Sequence, residues 1–173
     1  MPEREVFFMA KKPVFTTAWN AADLYYARLS KLLAAAGELN RVRGIYDKLD
    51  AIQGGMYVHD DVVNVFNNYF GGDVTAVHAK HDECSARFDR CKADVQRSME
   101  ILKVPCTDGE LDDFIMLAYG THAETTFRGK AQGYINTQRK HLGKQVRSKN
   151  PVPVQVLTPT DMIAKYQAGL RKR

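Results

Sequence analysis

The sequence predicts an all-α protein: a helical bundle of about six helices with an extended N-terminal arm and a C-terminal tail. Three observations carry that expectation. Apolar residues recur at three- and four-residue spacings through most of the chain. Glycine pairs and prolines punctuate it at helix-length intervals. No segment alternates apolar and polar residues over the length of a strand. With 173 residues and 45% hydrophobic content, the chain can bury one compact core.

Residues 1–15 read as the arm. Its apolar run from Val6 to Phe15 is interrupted by Lys11, Lys12 and Pro13, and proline disfavours helix in the residue before it. Thr16 or Thr17 then caps a first helix that Gly37 closes after Ala36. Trp19, Ala22, Tyr26, Leu29, Leu33 and Ala36 form its core-facing stripe, with Asp23, Arg28 and Lys31 off it. A second helix covers Leu39 to Gln53 and stops at Gly54-Gly55. His59 to Phe70 is a short third helix ended by Gly71-Gly72, and Asp73 caps a long fourth reaching Leu102.

Pro105 breaks the chain, and Thr107 with Glu110 reads as a capping box for a fifth helix through Tyr119. A sixth, basic helix spans His122 to Val146 and completes a helical domain over residues 16–147. The tail, 148–173, opens with Pro151 and Pro153 and ends in a short helix entered through Thr158-Pro159-Thr160-Asp161.

Charge is unevenly spread. The formal net charge is +5. No acidic residue lies between Glu124 and Asp161, while Arg128, Lys130, Arg139, Lys140, Lys144 and Arg147 all fall inside that stretch. These six define an expected basic surface suited to an acidic protein or anionic lipid headgroups. Charge alone supports no sequence-specific nucleic-acid recognition. The aromatic residues Phe127 and Tyr134 stand seven apart, as in a buried seam rather than a stacking platform.

Catalytic patterns are missing from the sequence: no Gly-x-Ser-x-Gly, no Walker loop and no Cys-x-x-Cys. His78, His81, Asp82 and Cys84 have helical ligand spacing, but without a second cluster they read as helix surface, so no metal site is expected. Cys84 and Cys91 would lie about 10 Å apart along a helix, beyond disulfide reach. Reduced thiols in a reducing compartment are expected. Asp50 to Asp61 has the outline of a degraded EF-hand loop, with Gly55 sixth and Asp61 last, but Ile52 and Gly54 stand where oxygen ligands are needed. The chain therefore reads as a non-enzyme with no cofactor of its own.

One set of residues carries a family resemblance. Lys12-Pro13-Val14-Phe15-Thr16 followed by Asn20-Ala21-Ala22, then Arg41-Val42-Arg43 with Ile45-Tyr46, then Val58-His59-Asp60 with Val62-Val63 and Gly71, is similar to the LYR-motif family. Within it, the chain resembles the accessory subunit of mitochondrial complex I. The likeness covers about the first half of the chain, and in place of Leu-Tyr-Arg the motif position reads Leu29-Ser30-Lys31 in the register of the Lys-Pro lead, or Leu24-Tyr25-Tyr26 in an alternative register.

The resemblance implies an accessory subunit of a mitochondrial respiratory assembly, on the matrix side of the inner membrane, among other protein subunits. It also implies docking of an acidic acyl carrier protein. The acylated phosphopantetheine carried by that partner would enter among the helices, while Arg28, Lys31, Arg41 and Arg43 meet its acidic surface. Two alternatives come from the residues themselves: an EF-hand-like structural adaptor of a cytoskeletal or axonemal lattice, and a basic RNA-binding ribosomal accessory protein.

Overall fold

The computed structural model describes residues 11–105, 107–149 and 154–172, and all of its regular structure is helical. The fold class is all-α. In chain order the helices are α1 (Lys11–Tyr46), α2 (Leu49–Gln53), α3 (Asp60–Asn68), α4 (Val74–Ile101), α5 (Asp108–Tyr119), α6 (Thr125–Val146) and α7 (Pro159–Arg171). The first ten residues of the expected arm lie outside the described residues. Its last five belong to the backbone of α1, where Pro13 occupies the first turn. That position tolerates proline, because the first amides of a helix have no intrahelical acceptor.

The break expected at Gly37 does not occur. α1 continues to Tyr46, and the chain turns at Asp47 and Lys48, whose amides bond to Arg43 O at 2.9 Å and Ile45 O at 3.0 Å. A mid-helix glycine costs only about 1 kcal/mol relative to alanine. Leu33, Ala36, Leu39 and Val42 carry one buried stripe through the glycine without a change of phase, and their burial outweighs that penalty. The second helix of the sequence reading is thus mostly the end of α1, and α2 keeps only its last turn.

The chain forms two compact units, residues 1–31 with 93–173 and residues 32–92. In the first, α5, α6 and α7 pack on one another around a ladder of aromatic rings, one from each helix. Phe114 meets Phe127 edge-on at 5.4 Å, and Phe127 meets Tyr166 at 5.2 Å. The tail helix is therefore core rather than appendage: Met162 and Tyr166 are buried. Thr158 and Asp161 form the expected capping box, with both bonds at 3.0 Å, and Pro159 enters at the first turn.

The segment before α7 is tied to α1 by two adjacent, fully buried tyrosines. Tyr25 donates its hydroxyl to Leu157 O at 2.8 Å, and Tyr26 accepts the Leu157 N–H at 2.9 Å. Tyr166 donates to the Glu124 carboxylate, so the bond of 2.8 Å to Thr126 must be donated by threonine.

The second unit packs the C-terminal part of α1, α2, α3 and the start of α4 around Ile45, Leu49, Phe66, Phe70 and Val77. Leu39, Val42 and Cys84, with Phe88 against them, form a second buried cluster in this unit. Gly71 and Gly72, at φ of 64° and 68°, make the left-handed turn that reverses the chain from α3 into α4. Asp73 caps α4 as expected, accepting the Thr75 N–H at 2.9 Å. The EF-hand outline is not realised: Asp50 sits inside α2 and Asp61 in the first turn of α3. Both carboxylates complement helix N-termini instead of facing a shared loop.

Candidate functional site

The four cations expected to dock a carrier protein do not form one set. Arg28 is half-buried and turned inward, donating to the buried Ser98 hydroxyl at 2.8 Å and to Asp94 O at 3.3 Å. It joins α1 to α4 within the first unit, so it is a packing residue and is corrected out of the docking set. Lys31 is exposed at the end of the same unit's share of α1. Arg41 and Arg43 are exposed in the second unit but stand about 200° apart around the helix, on different faces.

Arg41 borders a cavity. A groove of about 330 Å³ in the second unit has Val42, Ile45, Val65, Tyr69 and Phe70 as its apolar lining, with Glu38, Arg41 and Lys80 also bordering it. Two of the three charges are spent. Glu38 accepts from Arg87 at 2.6 Å, and Lys80 donates to Glu83 at 2.9 Å, a bond that holds the Lys80 ammonium above its ordinary range. Arg41 makes no ion pair among the described residues. The groove therefore joins an apolar floor to one uncommitted cation, a combination suited to an apolar chain carried by an acidic partner.

Sequence reasoning missed Val65, Tyr69 and Lys80. A signal was present. Val62, Val65, Phe66, Tyr69 and Phe70 form one broad apolar face, about 140° wide, along α3 and its exit, and Val65 and Tyr69 stand on one edge of it. Phe66 and Phe70 are buried, whereas Val65 and Tyr69 are 42% and 70% exposed.

The expected basic surface also divides. Arg128 donates to Ala118 O at the end of α5 and lies 4.3 Å over the Tyr119 ring, and Arg139 grips Asp23 through two bonds of 2.8 and 3.3 Å. Both are committed to packing. Lys130, Lys140, Lys144 and Arg147 are exposed and make no ion pair among the described residues.

A second hollow, of about 730 Å³ in the first unit, is lined by residues that include Trp19, Gln138, His141, Leu142, Val156 and Asp161. None of these was expected from the sequence to act in a site. His78 and His81 flank Tyr46, the first edge-on at 5.0 Å and the second stacked at 4.0 Å. Their rings thus pack as aromatics. Among the described residues no group of three or more His, Cys, Asp and Glu side chains is placed to hold a metal ion, and no helix is long and apolar enough to cross a membrane.

Among the described residues, the all-helical fold leaves an apolar groove and a cationic helix face open. Comparison with known proteins finds no protein family whose model matches the chain, and no curated protein or solved structure that matches it.

Proposed function

We propose that the protein is a non-catalytic helical adaptor that docks an acidic acyl carrier protein, receiving the carrier's acyl chain in the groove of the second unit. The observation that supports this reading is the apolar groove with Arg41 uncommitted at its border. Its volume lies at the lower end of the range of ligand pockets, which suits a single alkyl chain. The acylated phosphopantetheine belongs to the partner, so the adaptor needs no cofactor of its own. In this reading the chain serves as an accessory subunit of a mitochondrial respiratory assembly, as its resemblance to the LYR-motif family implies.

The docking residues are narrowed to Arg41, with Val65 and Tyr69 contacting the acyl chain. Calorimetry with an acyl carrier protein in octanoylated and unacylated forms tests it. The acylated form should bind at least about tenfold more tightly, a preference of about 1.4 kcal/mol. Arg41→Glu should reduce binding by a similar factor, and Arg43→Glu, on the far face of the helix, should leave it unchanged. Equal binding of the two carrier forms, or indifference to Arg41→Glu, would show the reading to be wrong.

A further inference from the structure

α6 carries a second surface that the carrier reading does not use. Its buried residues Phe127, Ala131, Ile135 and Leu142 define the side that faces the core. Lys130, Lys140, Lys144 and Arg147 fall on the opposite side, with Gly129, Gly133, Asn136 and Thr137, all within an arc of about 120°. All eight are exposed. The four cations extend over about 26 Å of helix. No carboxylate interrupts them, because α6 contains none; Asp23, which reaches the flank of α6 from α1, is neutralised by Arg139.

The short side chains on this face are a second sign of a close partner. A Cβ built on Gly129 or Gly133 meets nothing within 4 Å, so the protein's own packing does not require either glycine. Each weakens the helix by about 1 kcal/mol relative to alanine. That penalty has a return when something outside must approach the helix backbone closely. Asn136 adds hydrogen-bonding capacity: its Oδ1 accepts from Gln132 at 3.0 Å, which leaves its amide hydrogens for an oxygen of the partner.

We propose that this face of α6 docks double-stranded RNA, held through phosphates and ribose 2′-hydroxyls without reading of base sequence. A polyanion matches an acid-free row of cations, and phosphate and sugar contacts need only ammonium, guanidinium, amide and hydroxyl donors. A lipid surface would call for apolar side chains among the cations to enter the headgroup boundary. Val146, the exposed apolar residue of α6, lies instead on the flank with Arg139. An acidic protein would call for an aromatic or aliphatic anchor, and the face has none.

Single-stranded RNA would call for open aromatic platforms. Phe127 is buried, and the Tyr134 ring lies 5.1 Å beneath the Lys165 ammonium. Among duplexes, the wide and shallow minor groove of RNA accepts a smooth, short-chained helix face and offers Asn136 and Thr137 the 2′-hydroxyls that DNA lacks.

The test is fluorescence anisotropy of the full chain with a labelled RNA duplex of about 24 base pairs, titrated from about 50 to 200 mM salt. Four phosphate contacts predict a log–log slope between about −3 and −4. The triple variant Lys140→Gln, Lys144→Gln, Arg147→Gln should bring the slope near −1 and weaken binding at least about tenfold at low salt. Gly133→Leu changes no charge and favours the helix, so it should keep or raise the melting temperature while weakening RNA binding. The RNA duplex should bind more tightly than DNA of the same sequence.

A slope unchanged in the triple variant, an unaffected Gly133→Leu protein, or DNA bound as well as RNA would overturn the proposal. So would capture by phosphatidylserine vesicles in preference to the duplex. Arg41→Glu should leave RNA binding intact, so the outcome is independent of the carrier reading.

Discussion

Tyr26→Phe removes one oxygen and leaves the ring, so it isolates the bond to the Leu157 amide. In the native protein Tyr26 is fully buried, and its hydroxyl accepts that amide at 2.9 Å, in the segment that leads into α7. Phenylalanine preserves the ring contact with Tyr25, at 5.0 Å between centroids, but leaves the Leu157 N–H without an acceptor. An amide left unsatisfied in a buried setting costs about 1–3 kcal/mol. Leu157 is half-buried, which allows water some access and points to the middle of that range, about 2 kcal/mol.

Two readouts follow. Protection of the Leu157 amide from hydrogen exchange should fall by about thirty-fold, and the melting temperature of the unit containing α7 should drop by about 8 °C. Tyr25→Phe should be milder, about 1 kcal/mol, because a carbonyl tolerates the loss of one partner better than an amide tolerates the loss of its only one. Unchanged Leu157 exchange in Tyr26→Phe would refute the claim that this pair holds the segment to α1.

Three further expectations follow from the same geometry. Burial, opposed by the Leu157 bond and reinforced by Asp161, holds the Tyr26 hydroxyl above its usual range, so the folded state keeps a proton that the unfolded chain loses. Stability should therefore be intact below pH about 10 and decline as pH rises further, and Tyr26→Phe should flatten that alkaline limb in urea titrations against pH. Arg28→Ala should cost about 2 kcal/mol by chemical denaturation, since it strips the buried Ser98 hydroxyl of a charged donor, while Lys31→Ala should stay within about 0.5 kcal/mol. The Cys84 thiol is pushed up by burial and then by Glu38, so mass-spectrometric mapping at pH 8 should find Cys91 alkylated well before Cys84. Faster labelling at Cys84 would contradict its burial.

The helical character of this chain, most of its helix ends and its basic third were legible in the sequence, because they rest on local physics. Periodicity fixes the faces of α4, α5 and α6. Side-chain caps at Thr107, Asp73 and Thr158 fix where helices begin, since each answers an unpaired amide within three residues. The continuity of α1 through Gly37 was not legible from the glycine, but it was from the unbroken stripe of Leu33, Ala36, Leu39 and Val42, which packing honours over a small propensity penalty.

What only the tertiary structure decided is which charged and apolar side chains remain available. Arg28, Arg128 and Arg139 look like Lys31, Lys130 and Lys140 in sequence, yet the arginines are bound to Ser98, Ala118 and Asp23, from 10 to 116 residues away. Val65 and Phe66 are adjacent and equally apolar, yet one lines an open groove and the other is buried in the core. A helix period assigns a residue to a face. Whether that face meets another helix, a carboxylate or nothing depends on partners distant in sequence, and those are brought near only by folding.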